Sequence, residues 1–454
     1  MAKRNRAVRD PIHNYIHLSL PESALIDSPF LQRLRWVSQL SGVKLVFPGG
    51  THNRLPHVMG VMHLAGEYAS HIFADLKKSE REHKTQLARL AGLLHDVAHG
   101  AFSHAYDDTV YRALYPGNPH GHDTHRYKLI KSDYLKPLIQ ACGVEPEEII
   151  DLWEGKDTVL QAIVQGALGA DRMDFMLRDS YYAGTTHFGT VASTRIISST
   201  HVKEHDGALA LHYDVKVLDD IFQALLGRFY MYRGVYFHKA SSAADIMIRH
   251  MLAAAMKPLQ LPERTADFEQ FQYINDYTVV GEIMTSQAEG IEEAREYCTR
   301  LLQRKLPKLI WETIVSESVV RTVNTDIEKG SKIIAQSQFL DKLEEEAERL
   351  GKPMPRTYIF NTYPMSTIDH DEFNAGNIFI WDEKERLVPG KKSITFEEAI
   401  RSTNYFKPFL VDMEDRQRYI MIRVYADPED AKWIRKLKIG IPPPKQPNLA
   451  ETSY

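Results

Sequence analysis

The stretch Leu94-His-Asp-Val-Ala-His-Gly-Ala-Phe-Ser-His104 decides how this chain is read. Ahead of it, Leu87, Leu90, Leu93 and Leu94 recur at helical spacing, which predicts a helix over 85–100 carrying His95 and Asp96 near its C-terminal end. Consecutive helical side chains diverge by about 100°, yet at a helix end an imidazole and a carboxylate of different length can converge on one cation. His99 follows His95 on the same face, and His104 lies just past Gly100 in the turn.

Histidine is concentrated around this stretch: eleven of the chain's 20 lie between His52 and His125. It is the commonest metal ligand and the usual proton shuttle near neutral pH, so the clustering points to chemistry. Two further helices complete the set. One opens near Pro56 and carries His57 ahead of Val58, Met62, Leu64, Ala65, Tyr68 and Ile72. The other holds Ala170-Asp-Arg-Met-Asp-Phe-Met-Leu-Arg-Asp179, in which Asp171, Asp174 and Arg178 share one face. His57, His95, Asp96 and Asp171 would make one mixed N/O site for a divalent metal, with positions left for water and substrate. Imidazole ligands favour Fe, Mn, Zn or Ni over Mg, which would instead accompany a nucleotide.

The rest of the composition narrows the class. The chain has 454 residues, 43% apolar and 26% charged, with a formal charge of −4, so no global positive field points to nucleic acid or an anionic membrane. The basic run Lys432-Trp-Ile-Arg-Lys-Leu-Lys reads as a solvated helix face, with nucleic-acid contact left open. Cys142 and Cys298 lack paired spacing, and no stretch nears 18 apolar residues; a cytoplasmic protein outside the membrane is expected. Neither a GxxxxGK[ST] loop nor a GxGxxG turn is present, so any polyphosphate is held another way.

Helical periodicity dominates up to about residue 260, with expected helices from Pro29 to Leu40, over 159–183 and over 219–258, the last interrupted at Arg233-Gly234. A hairpin is expected over 194–213 around Asp206-Gly207. Beyond Pro258 and Pro262, helical segments over 267–288, 292–306 and 337–350 alternate with β-rich runs over 356–360, 377–381 and 419–425. The expected organisation is a mostly α core over 1–260, a smaller mixed α/β lobe over 261–440, and an extended tail over 441–454.

The order His57, His95-Asp96, Asp171 resembles that of the HD-domain phosphohydrolase superfamily. The surrounding text is similar to its deoxynucleoside triphosphate triphosphohydrolase branch: Asp10-Pro-Ile-His, Phe30-Leu-Gln-Arg-Leu-Arg, Val46-Phe-Pro-Gly, His52-Asn-Arg and Tyr236-Phe-His-Lys. The likeness runs from about residue 6 to 260. It implies an HD-domain fold and the reaction dNTP + water to deoxynucleoside + triphosphate.

The resemblance also implies roles. His99, His104, His122, Asp123 and Asp107 would be catalytic, with His122-Asp123 standing where the branch has a His-Glu pair. Substrate would meet Gln39, Leu40, Arg54, Arg172, Phe175, Asp179, Arg228 and Tyr236; Arg172 replaces a lysine and Phe175 a tyrosine. A guanidinium fork pairs with phosphate oxygens in bidentate fashion, which suits the arginines to triphosphate. Arg6, Asp27, Gln32, Arg35, His238 and Lys239 match an activator site for GTP or a dNTP between subunits of a homo-oligomer, a tetramer in that branch. Two rival readings remain. One is another HD phosphohydrolase, acting on a nucleoside monophosphate, cyclic nucleotide or oligonucleotide; the other is a nucleotide sensor without turnover.

Overall fold

The computed structural model describes residues 6–118, 121–362, 378–403, 419–437 and 439. His120, the start of the 377–381 run, the last residue of the 432–438 run and the 441–454 tail lie outside these residues.

The fold opens on a hairpin that periodicity does not reveal. Strands β1 (Arg6–Asp10) and β2 (Asn14–Leu18) pair antiparallel in the register Asp10 opposite Asn14, with Asn14 in the left-handed region. Helix α1 (Leu20–Ile26) starts on a capping box: Glu22 N–H donates to Ser19 Oγ, and Ser19 N–H to the Glu22 carboxylate. The expected helix from Pro29 to Leu40 is only a short α2 (Pro29–Arg33) followed by a tighter turn. Ser38 ends it, because its backbone bridges to Asn53 and its hydroxyl donates to Asp276 at 2.5 Å.

The centre is α3 (Arg54–Ile72) against α4 (Lys78–Leu94), packed along their lengths. Gly92 permits that approach, since a Cβ there would sit 3.1 Å from the Val61 carbonyl. The expected helix over 159–183 is two, Thr158–Gln165 and Ala170–Ala183, because Gly166 and Gly169 turn the backbone between them. Asp171 thereby comes to the first turn of its own helix, beside α3. The helix over 219–258 likewise divides into Leu218–Met231 and Lys239–Ala255, with a wider turn at Tyr232–Tyr236.

Strands β3 (Thr200–His205) and β4 (Ala208–Asp214) form a hairpin around Asp206-Gly207, while the start of the expected 194–213 span is helical, Ser193–Ser198. β4 also pairs in parallel with β7 (Phe379–Trp381), which pairs with β8 (Ser393–Thr395). A second sheet runs β5 (Lys308–Ser316), β9 (Tyr419–Ala426), β6 (Thr357–Thr362), all antiparallel. The fold is thus mostly α with a smaller sheet-containing C-terminal region.

The core does not break near residue 260. One apolar cluster runs from Ile16 through Leu261, Phe271 and Leu306 to Tyr425, and helix Lys239–Ala255 packs on helix Glu292–Leu302. A separate small core around Trp311, Phe339, Leu343 and Ile422 belongs to the last lobe. Apolar packing thus continues across residue 260, and the main cluster also takes in Tyr358, Ile380, Phe396 and Tyr425 from the later segments. No helix among the described residues is long and apolar enough to cross a membrane.

Candidate active site

His57 lies in the first turn of α3, His95 caps α4, and Asp96 follows it. The structure brings both imidazoles and both carboxylates together. His57 Nε2 is 3.3 Å from Asp171 Oδ1 and 3.7 Å from Asp96 Oδ2, and His95 Nε2 is 3.6 and 3.3 Å from the same two residues. The ligand atoms of His57, His95 and Asp96 lie within 4.8 Å of one another, and all three residues are buried. These three residues could hold a metal ion, with Asp171 Oδ1 beside the two imidazoles.

The surroundings orient these ligands. The His57 Nδ1–H donates to Asp174 at 2.8 Å and the His95 Nδ1–H to the Gly92 carbonyl at 2.7 Å, which aims both Nε2 atoms toward the site. Arg126 braces the His95 carbonyl at 2.6 Å, and Arg33 holds the Val97 carbonyl at 2.9 Å. Burial opposes a charge on His57, but Asp171, Asp174 and Asp96 outweigh it and raise its pKa to about 10. Against the upward push of burial, Arg54, His95 and His99 hold Asp96 well below the ordinary carboxylate range, and His57 and His95 do the same for Asp171. Such a concentration of anionic oxygen calls for a cation.

Next to these four residues sits the histidine cluster. His99 Nε2 is 3.2 Å from Asp96 and its Nδ1 3.3 Å from Asp107, which also reaches His104 at 3.2 Å and His122 at 3.8 Å. The His99 and His122 rings stack at 5.0 Å, and His122 Nε2 is 3.4 Å from Asp123. Burial and its charged neighbour His99 push His122 down to about 4, so it is neutral at physiological pH. His99 is raised despite its burial, because Asp107 and Asp96 flank it. His99, His104 and Asp107 also stand close enough to hold a second cation. This loop turns sharply at Phe102 and Ser103, both at positive φ. The Phe102 N–H is held by Asp276 at 2.7 Å, and Ser103 Oγ donates to the Ser38 carbonyl at 2.6 Å.

A cavity of about 450 Å³ opens from His57, Asp96 and Asp171 toward the turn Tyr232–Tyr236. Gln39, Leu40, Arg54, Phe175, Asp179 and Tyr236 all line it. Arg54 is ion-paired to Asp96 and donates to Ser103 Oγ at 2.7 Å. Arg228 lies behind the wall, its guanidinium over the Phe175 and Tyr232 rings. Tyr236 Oη donates to Asp179 at 2.7 Å, and His52 fixes the other Asp179 oxygen at 2.7 Å. Arg172 is not brought to the cavity. It donates to the Gln165 carbonyl at 2.5 Å and lines a different cleft with Leu209 and Ile378, because the side chain next to Asp171 leaves the helix on another face.

Of the residues matched to an activator site, Arg6, Asp27, Gln32 and Arg35 adjoin one another, with the Gln32 amide donating to the Ile26 carbonyl at 2.9 Å, and His238 and Lys239 open a later helix. Arg6 on β1 pairs with Asp27 at 2.8 Å, while Arg35 donates to Gln32 at 2.7 Å. His238 caps helix Lys239–Ala255 through the Ala240 N–H, and the Lys239 carbonyl accepts from Tyr425 Oη. Sequence reasoning passed over His52, Asp245 and Arg249, the last two of which line the cavity from helix Lys239–Ala255. It noted Asp174 and Arg178 only as neighbours of Asp171, although their spacing was the available signal.

Residues 54–163 match the HD domain family, and residues 191–344 match the HD associated region. The chain belongs to the HD-domain phosphohydrolase superfamily. Within it, the chain is 27% identical over 350 residues to the deoxynucleoside triphosphate triphosphohydrolase SAMHD1 of Homo sapiens, covering 68% of this chain and 55% of that protein. The homolog of that enzyme in Dictyostelium discoideum is 28% identical over 363 residues, 74% of this chain and 67% of its own length. An uncharacterized protein of Methanocaldococcus jannaschii is 32% identical over 282 residues, 62% of this chain and 56% of its own length. The chain spans about half to two thirds of the length of these relatives.

Proposed function

We propose that the protein is a metal-dependent deoxynucleoside triphosphate triphosphohydrolase, converting dNTP and water to deoxynucleoside and triphosphate. One observation carries this reading. A single cavity is lined at one end by His57, Asp96, Asp171 and His99, and at the other by Gln39, Phe175, Asp179 and Tyr236. A nucleotide fits it with phosphates toward the His/Asp end and sugar between Gln39 and Tyr236. Similarity to two triphosphohydrolases over most of this chain supports the same substrate class.

A divalent ion held by His57, His95, Asp96 and Asp171, such as Fe, Mn, Zn or Ni with Mg on the nucleotide, would supply Lewis acidity and an activated water. The chain's own groups do the rest. His99 and Arg54 place positive charge where the α-phosphate acquires negative charge. As the bond from phosphorus to O5′ breaks, the leaving oxygen takes a proton from the histidine cluster, in which His99, raised by Asp107 and Asp96, is the better proton source and the neutral His122 stacks on it. The Tyr236 ring, fixed by Asp179, packs against C2′ and leaves a 2′-hydroxyl without a partner, which favours dNTP over NTP. Arg172, directed to another cleft, takes no part in this arrangement.

The same reading extends to regulation. Asp27 accepts from the N1–H and amino group of guanine, while Arg6, Gln32, Arg35, His238 and Lys239 supply donors for phosphate and base. A GTP or dNTP bridging subunits would then favour a homo-tetramer, since a ligand shifts assembly by its differential affinity for the assembled form.

The test is incubation of purified protein with each dNTP and NTP in the presence of Mn, Fe or Mg, with products resolved by chromatography. Deoxynucleoside and intact triphosphate in equal amounts are expected. Nucleoside diphosphate with orthophosphate would reject the reaction, and tight nucleotide binding without turnover would favour a sensor.

A further inference from the structure

We propose that the β1–β2 hairpin is part of the metal centre, with Asp10 and His13 acting as positioning residues that hold Asp174 against His57. The inference rests on the reading of His57, His95, Asp96 and Asp171 as a metal site, and it concerns residues that touch neither metal nor substrate.

The argument starts from the two nitrogens of His57. Its Nε2 faces Asp96 and Asp171, so it can ligate only if the proton sits on Nδ1, and that proton needs a fixed acceptor. Asp174 Oδ2 is that acceptor at 2.8 Å. Asp174 is wholly buried, and a buried carboxylate stays ionised and in place only where its remaining lone pairs are filled. They are filled from two directions. Arg178 donates Nε to Oδ2 and Nη2 to Oδ1, both at 2.9 Å, and His13 Nε2 meets Oδ1 at 2.6 Å.

Arg178 is itself fully buried, and it also donates to the hairpin: Nη1 to Asp10 Oδ2 at 2.8 Å, with Nη2 at 3.3 Å from Oδ1. Asp10 Oδ1 also accepts the backbone N–H groups of Ile12 and His13, each at 2.9 Å. The carboxylate that anchors Arg178 therefore shapes the turn that delivers the His13 ring. Asp10, Arg178, Asp174 and His13 close a ring of charge-assisted bonds with one exit, the bond to His57. Gly60 on α3 makes room for it, because a Cβ there would overlap Asp174 and Arg178. A structural ion pair would need only Arg178; the hairpin adds a second donor that fixes which way the Asp174 oxygens face.

The probe is Co(II), which reports both affinity and ligand geometry through its visible absorption. Co(II) is titrated into metal-free wild type, His13→Ala, His13→Gln and Asp10→Asn, and the thermal midpoint of each metal-free protein is recorded. His13→Ala is expected to weaken Co(II) binding 10- to 100-fold and to change the absorption bands, as for other loss of a ligand's outer partner. His13→Gln keeps an N–H toward Asp174 and is expected to restore most of the affinity. Wild-type affinity and spectrum in His13→Ala would overturn the proposal while leaving the metal site standing. A wild type that takes up no Co(II) would overturn the metal reading itself. Should Asp10→Asn fold poorly, the two His13 variants, which keep the buried Asp10–Arg178 pair, still decide the matter.

Discussion

Replacing Gly60 by alanine adds one methyl group at the most crowded point behind the metal ligands. An ideal Cβ there stands 1.9 Å from Asp174 Oδ1, 2.7 Å from its Cγ and 2.5 Å from Arg178 Nη2. Ordinary contact needs about 3.5 Å, so the carboxylate must retreat by roughly 1.5 Å or α3 must shift. His57 and Gly60 lie three residues apart on α3, one turn on the same side, so retreat from Gly60 is also retreat from His57. The 2.8 Å bond to His57 Nδ1 would lengthen to about 4 Å, beyond hydrogen-bonding range. Overpacking alone costs about 1–3 kcal/mol, and disturbing a buried ion pair brings the total to about 3 kcal/mol or more. Thermal melting of the metal-free variant should therefore fall by several degrees, and equilibrium metal binding should weaken about tenfold or more. A variant with wild-type melting and binding would refute the reasoning. Lower melting with unchanged binding would show that α3 moves as a body and that His57 keeps its partner.

Four further outcomes are expected. Metal analysis after metal-replete expression should find bound metal in wild type and a large loss in Asp96→Ala; equal content in both would remove Asp96 from the ligand set. His125, buried among Tyr111, Phe268 and Phe271, is pushed down to about 3 by burial and by Arg33 and Lys128. Its folded pKa lies below the unfolded value near 6.5, so the stability it contributes is complete above about pH 6.5 and is lost as pH falls toward 3; denaturant midpoints of His125→Phe should show a flatter acid limb than wild type. Tyr236→Ala should narrow the preference for dNTP over NTP about 5- to 150-fold, the equivalent of about 1–3 kcal/mol, in competitive turnover assays, and an unchanged ratio would make the ring simple packing. Sedimentation with and without GTP should show assembly that Asp27→Ala weakens, whereas a nucleotide-indifferent wild type would leave Asp27 as the ion-pair partner of Arg6 and nothing more.

The chemistry was more readable in the sequence than the path of the chain. His95-Asp96 behind a leucine run and the 171–179 spacing are local patterns, and local patterns survive folding. The direction of Arg172 is not local: neighbouring helical residues point about 100° apart, and only the packing of helix Ala170–Ala183 against α3 decides which one meets the cavity. Leu34, Val37 and Leu40 are all buried at helical spacing, yet a tight turn and an extended residue carry them, since Ser38 is captured by Asn53 and Asp276. The β1–β2 hairpin escaped notice for a related reason. Arg6-Ala7-Val8-Arg9-Asp10 has no apolar alternation because its one buried side chain, Asp10, is polar and faces Arg178. The boundary at 260 followed a change in composition, whereas the core follows contacts made across it.

The parallel pairing of β4 with β7 has a consequence for how the chain is made. β3 and β4 can join as soon as they are synthesised, but β7 follows more than 160 residues later, so one edge of β4 waits with its backbone groups open. Over that interval the emerging polypeptide carries a sticky strand edge beside a helical layer still missing part of its cover, the state in which growing chains most readily pair with one another. Polypeptides released before residue 381 keep that edge open and should aggregate, however well their first helices form, so β7 acts as the late seal on the end of β4.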